Sequence, residues 1–520
     1  MDRSLVRRRP LVVVGLVLFL AVWLKNAWVC DDAYINFRSL EQLRAGHGPI
    51  WNPHERVQVY TSVLWYWLQA PLRLVSPDVY LNVLALSLAC SLGLLAVTRR
   101  LVPNPTAWLC LIGLMVGAGG FMDFTSSGLE NPLLLVATAV LCDRYLAAMA
   151  LSAGDPGAAA AVRRLLVAAG WSLLVRHDLV VFWLPPAAQA IWRHRRAAGV
   201  RTWLRWLAIA AAPLAAWSAF AVFYYGSPWP NAALAKLALG VPVRELLPQG
   251  LRYLGATLRD PVLPVVIVAG TIAALARPAT IALALGASLH VAYLVRAGGD
   301  FMQGRMLGAV FLVMAVVLAR ALADRGPQLR RAAAAAAFVT AVLLPRTPLN
   351  TGSGLDQQDF PDGIADERAY YFQATSLWVR LRTPAGEFPP HEWARDGRRE
   401  RNRDAPVVGS PNVGFFGYLA GVDKIVVDRY AIADPFLSRI PVGTLADDWR
   451  PGHVRRPAPP GYAASLRYEA NDLKDPALQA LYEDVRLATS APLLARGRAG
   501  AIWRLTTGAH GRRGGMVDPP

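Results

Sequence analysis

Apolar runs close to the thickness of a bilayer recur through the first two thirds of this chain, and arginines punctuate them. A helix needs about 20 apolar residues to cross the hydrocarbon core. Lipid supplies no hydrogen bonds, so a segment there satisfies its backbone by being helical or part of a closed barrel. Leu11–Val29 is nearly unbroken apolar sequence behind Arg7, Arg8 and Arg9. A cleavable signal would have a shorter core and a small-residue cleavage site, so this reads as an anchored first helix. Further spans are expected at roughly 80–98, 107–122, 131–150, 162–176, 178–192, 204–224, 261–276, 279–296, 305–322 and 331–345, about eleven in all. Tyr60–Leu74, with Trp65, Trp67, Gln69 and Arg73, reads instead as an interfacial helix.

Charge supports this division and orients it. Only 17% of the 520 residues are charged, against about a quarter in soluble domains. Residues 1–345 hold 31 Lys/Arg against 15 Asp/Glu, whereas 346–520 hold 23 against 21. The expectation is a transmembrane domain over 1–345 and a soluble α/β domain over 346–520. With eleven spans, Arg99-Arg100, Arg163-Arg164, Arg193–Arg205, Arg277 and Arg320–Arg331 all share the side of the N-terminus. The positive-inside rule makes that side the cytoplasm. The chain then belongs in the cytoplasmic (inner) membrane, multi-pass, with its C-terminal domain periplasmic or otherwise extracytoplasmic. The basic excess therefore orients spans and recruits no nucleic acid. Disorder and a disulfide scaffold are excluded as well: Cys90, Cys110 and Cys142 lie in apolar runs, leaving Cys30 without an evident partner.

The outward loops hold the scarce acids. The first has Asp31-Asp32 directly after a span, then Arg38, His47, Trp51, Asn52 and Tyr60. Adjacent carboxylates at a helix end are costly unless paired, hydrated or used. They suit a general base for an acceptor hydroxyl, or a divalent metal held against a phosphate. Glu130 opens a span, where it could equally be a cap. Arg176-His177-Asp178 sits between two apolar runs, and Trp229 and Asn231 lie in an aromatic turn. Arg296, Asp300 and Arg305 surround a Gly-Gly turn that suits a lipid-linked phosphate. Polar clusters confined to one side point to an outward-facing site. No P-loop, dinucleotide fingerprint, HExxH or nucleophile elbow competes. Nucleotides are cytoplasmic, so a group donor on the outer side arrives on a lipid, and a polyprenyl phosphate fits.

The stretch DDAYINFRSLEQLRAGHGPIWNPHERVQVYTSVLW, with TSSGLENPL, RHD, YYGSPWPN, GGDFMQGRML and NVGFFGYLAG…IVVDRYAIADPF, carries a family resemblance. It resembles multi-span glycosyltransferases of the GT-C superfamily, in the group around the mycobacterial terminal β-(1→2)-arabinofuranosyltransferase and its flagellar-motor-control relatives. The resemblance runs from the first span to about residue 440 and implies a polyprenyl-phosphate-linked sugar donor. It also implies catalytic carboxylates at Asp31 and Asp32, with Asp31 slightly preferred. Arg38, His47, Trp51, Asn52 and Tyr60 would shape the acceptor side; Arg296, Asp300 and Arg305 would meet the phosphate. The chain departs from the family pattern at Val59, where relatives carry glycine.

The C-terminal region is expected to hold two strands, Ala405–Ser410 and Lys424–Asp428, around a glycine-rich turn at Asn412–Gly421. Pro384–Pro406 reads as an irregular loop, and the tail beyond Thr506 as mobile. The function expected is transfer of a pentofuranosyl residue, D-arabinofuranose foremost, to a hydroxyl of a glycan or glycoprotein acceptor. The sequence leaves inversion and retention open. The competing classes are a lipid-glycan transporter or flippase and a non-catalytic envelope or flagellar assembly factor. A transporter would place polar groups along a through-path and often show internal repeats.

Overall fold

The apolar runs are helical in the computed structural model of the chain even where valine and isoleucine are frequent, because a long apolar run satisfies its own backbone only as a helix. The structure describes residues 9–237, 241–352, 362–410, 412–442, 445 and 449–508. Arg7 and Arg8 of the expected N-terminal cluster, and the tail from 509 expected to be mobile, lie outside the described residues. Contacts divide the chain into two compact units. The first comprises Met1–Cys30, Tyr80–Leu214 and Val243–Leu381; the second comprises Asp31–Val79, Ala215–Pro242 and Arg382–Pro520. The units thus interleave in sequence, whereas one boundary at 345 was expected.

Among the described residues of the chain, four helices are long and apolar enough to cross a membrane: Val79–Leu101, Asn131–Ala150, Val200–Tyr225 and Arg305–Ala323. A fifth crossing results if Pro105–Gly117 and Gly119–Thr125, which meet at 88°, form one bent span. The straight span expected at 107–122 is therefore broken between Gly117 and Gly119. There the Asp260 carboxylate accepts the Gly120 N–H at 2.9 Å, capping the second segment. Arg9–Asn26, Leu263–Leu275 and Ile281–Arg296 are shorter apolar helices. The two expected spans around the Arg176 turn are the helices Ala158–Ser172 and Leu179–Arg193, of 15 residues each.

The first unit is built around Gly308–Ala323, buried on nearly all sides. An all-round apolar helix has no polar stripe to give to solvent and takes the centre of a bundle. Leu263–Leu275 packs against it at Gly270, where a Cβ would come 2.5 Å from both the Cβ and the carbonyl oxygen of Met314. Leu179–Arg193 and Ile281–Arg296 meet equally closely at Gly286, whose Cβ would lie 2.1 Å from the Phe182 carbonyl oxygen. Lipid offers little hydrophobic drive between helices, so small residues that admit close backbone approach set such contacts.

The second unit contains the helices Asp31–Arg44, Val63–Val75, Glu392–Arg401, Pro476–Thr489 and Arg498–Thr507. Its strands β1 (Val407–Ser410) and β2 (Ile425–Asp428) pair in parallel, from Val407 opposite Ile425 to Ser410 opposite Asp428. A parallel pair needs a crossover, and here it is the helix Gly414–Ala420. That helix replaces the turn expected at Asn412–Gly421, because Gly414 and Gly417 serve packing and not chain reversal. A Cβ on Gly414 would sit 2.1 Å from the Asp31 carbonyl oxygen, and one on Gly417 would sit 2.8 Å from the Trp51 ring. Pro384–Pro406, expected to be irregular, contains the helix Glu392–Arg401, capped by His391 Nδ1 accepting the Trp393 N–H. Behind the strands, Val427, Phe436, Leu437, Tyr462, Tyr482 and Val485 share one apolar core.

Gly414→Ala should destabilise the second unit by about 1–3 kcal/mol through overpacking. Gly409→Ala, whose Cβ meets nothing within 4 Å, should leave stability unchanged. Thermal unfolding of the two variants checks this, and equal midpoints would contradict it.

Candidate active site

In the second unit, the first loop folds as the helix Asp31–Arg44, and its polar residues grip another helix. Asp31 is buried; its Oδ1 accepts the Phe415 N–H at 2.6 Å and its Oδ2 the Gly414 N–H at 3.2 Å. Arg38, also buried, donates from Nη1 to the Gly417 and Gly421 carbonyls at 2.5 and 2.6 Å. Its Nη2 reaches the Lys424 carbonyl at 2.6 Å and its Nε the Trp51 carbonyl at 3.1 Å. Seven residues on a helix return to the same face about 10 Å further along. Gly414–Ala420 is seven residues long, so Asp31 and Arg38 are spaced to hold its two ends. The signs fit as well, with the carboxylate at the positive end of that helix and the guanidinium at the negative end.

The rest of the loop continues this role. Asn52 pairs with Val426 of β2, its Oδ1 accepting the N–H at 2.9 Å and its Nδ2 donating to the carbonyl at 3.2 Å. Trp51 is wholly buried beneath the Arg38 guanidinium, 4.9 Å from the ring centroid. The Tyr60 hydroxyl meets that of Tyr225 at 2.7 Å. Asn231 donates to the carbonyls of Ala431, Ile432 and Asp434. Of the residues expected in this unit, Asp32 is partly exposed, His47 is exposed with Nδ1 2.6 Å from Gln42 Oε1, and Trp229 is more than half exposed.

Several carboxyls here are held above their ordinary range. Burial pushes Asp31 up to about 7, opposed by the Phe415 and Gly414 N–H groups and helped by Asp32. Burial, then the charge of Asp434, raises Glu55 to about 8, while the Asn52 hydrogen bond and Arg439 pull it down. Asp428, also buried, stands at about 7 despite accepting the N–H groups of Ala433 and Tyr430.

A different cluster forms in the first unit. Arg176 donates to both oxygens of Asp178, at 2.9 and 2.8 Å, and to Glu130 Oε1 at 3.1 Å. Arg305 Nε lies 2.8 Å from Asp300 Oδ2, and the Asn131 side chain donates to the Arg305 carbonyl. Tyr253, whose hydroxyl accepts the Met306 N–H at 3.1 Å, feels the charges of Asp300, Arg305 and Arg176 together. The structure thus unites Glu130, Asp178, Asp300 and Arg305 of the expected residues, with Arg176 and Tyr253 at their centre. His177 is half-buried beside them in sequence, and Arg296 is exposed at the end of Ile281–Arg296.

Sequence reasoning missed a further buried group in this unit. Arg368 Nε lies 3.7 Å from Asp123 Oδ1, its guanidinium covers the Phe372 ring at 4.0 Å, and Trp28 donates to the Asp123 carbonyl. Lys25, bonded to the Leu349 carbonyl at 2.6 Å, acts electrostatically on the same pair. These are single residues scattered from 25 to 368, and no local motif marks them.

The acidic pair does not fit a divalent metal. Both Asp31 oxygens are taken by N–H groups, and neighbours on a helix do not face one point. Among the described residues no group of three or more His, Cys, Asp or Glu could hold an ion.

The described residues form a helical protein with several helices long and apolar enough to cross a membrane, as a multi-pass membrane protein has. In sequence it is similar to the terminal β-(1→2)-arabinofuranosyltransferases of two actinobacteria. That of Mycobacterium tuberculosis is 30% identical over 335 residues, covering 56% of this chain and 52% of the relative. That of Corynebacterium glutamicum is 28% identical over 372 residues, covering 61% and 52%. The chain spans about half the length of the curated relatives it matches. No family model matches it. The crystal structure of ArnT from Cupriavidus metallidurans bound to undecaprenyl phosphate aligns over 80% of this chain and 86% of ArnT, at 15% identity and a TM-score of 0.44. So loose a likeness carries no argument about the site.

The raised carboxyls make a pH prediction for the second unit. Each binds its proton more tightly folded than unfolded, so its stabilising contribution is complete below about pH 4. It is lost as pH rises through the folded values of about 7 for Asp31 and about 8 for Glu55. Hydrogen exchange of peptides spanning Gly414–Leu437, corrected for intrinsic rates, should show more protection at about pH 5.5 than at about pH 8. Glu55→Gln should narrow the difference; protection that rises with pH would contradict the assignment.

Proposed function

We propose that the chain is a membrane glycosyltransferase that moves a pentofuranosyl residue, D-arabinofuranose foremost, from a polyprenyl-phosphate donor to a hydroxyl of a glycan or glycoprotein. The observation that carries this reading is the similarity to arabinofuranosyltransferases over 335 residues. The activity belongs on the outer side of the cytoplasmic membrane, with eleven crossings, a cytoplasmic N-terminus and residues 346–520 outside. Arg305 and Arg296 support a place for the leaving phosphate, since guanidinium pairs well with phosphate oxygens. Asp300 beside Arg305 fixes the side chain's direction.

Of the acidic pair we assign the chemistry to Asp32 on exposure alone, since it is partly exposed where Asp31 is buried. Asp31 is committed to the Gly414 and Phe415 N–H groups, and a base must reach an acceptor proton. Asp31 is then a positioning residue. In an inverting transfer Asp32 deprotonates the acceptor as the C1–O bond to phosphate breaks; in a retaining one its role is to stabilise charge at the anomeric carbon. A second reading, an assembly factor that keeps the fold without the chemistry, draws on the burial of Asp31, Arg38, Trp51 and Asn52.

Asp32→Asn should lower transfer in membranes supplied with polyprenyl-phosphoryl arabinofuranose by about 10²–10⁴-fold, with unfolding unchanged. Asp31→Asn should destabilise the chain by about 1–3 kcal/mol, because its amide turns a donor toward backbone donors. Full transfer by Asp32→Asn would overturn the assignment, and no transfer by the parent with any polyprenyl-linked sugar would favour the assembly factor.

A further inference from the structure

The second unit includes the last turns of the spanning helix Val200–Tyr225, and apolar side chains stay uncovered around its end. Phe220 and Phe223, within two turns of Tyr224, are 39% and 49% exposed. The helix Val63–Val75 is tied to the same turns by aromatic contacts. Tyr66 stacks on Tyr60 at 3.9 Å, and Tyr60 lies 6.1 Å from the Trp217 ring. On that helix Trp67 and Leu68 face outward.

A third element is fixed at this level by two arginines. Arg56 Nε and Arg498 Nη2 both donate to the Tyr224 carbonyl, at 3.1 and 3.2 Å. Their charges complement the negative end of the spanning helix. Arg56 also bonds the Ala491 carbonyl, and Arg498 the Ala488 carbonyl at 2.9 Å. A Cβ on Gly226 would stand only 3.0 Å from Ala488 Cβ and 3.4 Å from Ile502 Cγ1. The segment from Ala491 through the helix Arg498–Thr507 is therefore seated at the end of a span. Yet Leu494 is 89% exposed and Trp503 70% exposed, with Arg496 exposed between them.

Leaving a leucine or tryptophan in water forgoes the gain from burying its apolar surface. The headgroup layer removes that cost, and tryptophan and arginine beside apolar side chains are what it favours. We propose that residues 491–507, with Trp67 and Leu68, form a monotopic platform lying in the lipid headgroup layer where Val200–Tyr225 ends. Leu494 and Trp503 point into the acyl boundary, and Arg496 meets lipid phosphates. Lipid is the occupant because Arg498 and Arg56 bond this segment to Tyr224, at the end of the same spanning helix that carries the exposed Phe220 and Phe223. The proposal rests on that helix crossing the bilayer and not on glycosyl transfer.

Nitroxide labels at Leu494→Cys and Trp503→Cys test it in the full chain, in nanodiscs of phosphatidylcholine and phosphatidylglycerol. The native Cys30, Cys110 and Cys142 are buried, and the unlabelled-site background is read on the parent. Ile209→Cys on the same spanning helix and Arg399→Cys on the exposed helix Glu392–Arg401 serve as references. Labels at 494 and 503 should collide with oxygen in preference to a nickel chelate, approaching the behaviour at 209. Nickel access equal to that at 399 would overturn the platform. Shielding from both quenchers, with dipolar broadening between copies, would also overturn it and assign the surface to a second copy. A nickel-accessible label at 209 would remove the span and the platform together, whereas arabinosyl transfer by the same preparation judges the enzymatic reading separately.

Discussion

The second unit depends on one helix held at both ends. Gly414–Ala420 has too few turns to satisfy its own termini, because the first N–H groups and last carbonyls of any helix lack internal partners. Asp31 supplies acceptors at one end and Arg38 supplies donors at the other. The crossover between β1 and β2 is thereby fixed, and with it the register of the strands. Arg38 also binds the Lys424 carbonyl, one residue before β2, so the same guanidinium sets where that strand begins. A buried charge is tolerated at this depth because four carbonyls surround it; removal of any one would leave the cation poorly compensated.

The first unit solves the opposite problem. Arg176 is held by two carboxylates, one bidentate, and Arg305 by a third. A buried ion pair gains little over a well-packed apolar pair, since desolvation offsets the attraction. Three carboxylates around two guanidiniums therefore make poor sense as a source of stability alone. What they do achieve is to fix each guanidinium in direction, which is the condition that electrostatic preorganisation requires.

The apolar helices, the helix at Val63–Val75 and the parallel strands were legible because apolar periodicity and β-branched runs are local signals. The grouping of Glu130, Asp178, Asp300 and Arg305 was legible from the shared sidedness of their loops. The scaffolding role of Asp31 and Arg38 was not. A carboxylate that accepts two backbone N–H groups 383 and 384 residues away has the same local sequence as one that waits for substrate. Gly414 and Gly417 were misread for a related reason: a glycine needed for close approach and one needed for a turn are identical until the neighbour is known. Asp123 opens the polar loop that also holds Glu130, but its partners Lys25 and Arg368 left no trace because each stands alone in an otherwise ordinary segment.

This division bears on what the family resemblance carries. The motif residues Asp31, Arg38, Trp51 and Asn52 are buried and bonded within the second unit. Their presence speaks for the fold, since changing any of them disturbs the strands or the helix between them. Side chains that solvent reaches in the same loops include Asp32, His47, His54 and Trp229. His54 is held at φ 65°, a conformation that costs a non-glycine residue energy and that the loop nevertheless imposes. A relative that transfers another sugar can keep the buried set intact and differ only in the exposed one. Likeness in the first loop therefore supports a shared architecture more strongly than a shared substrate.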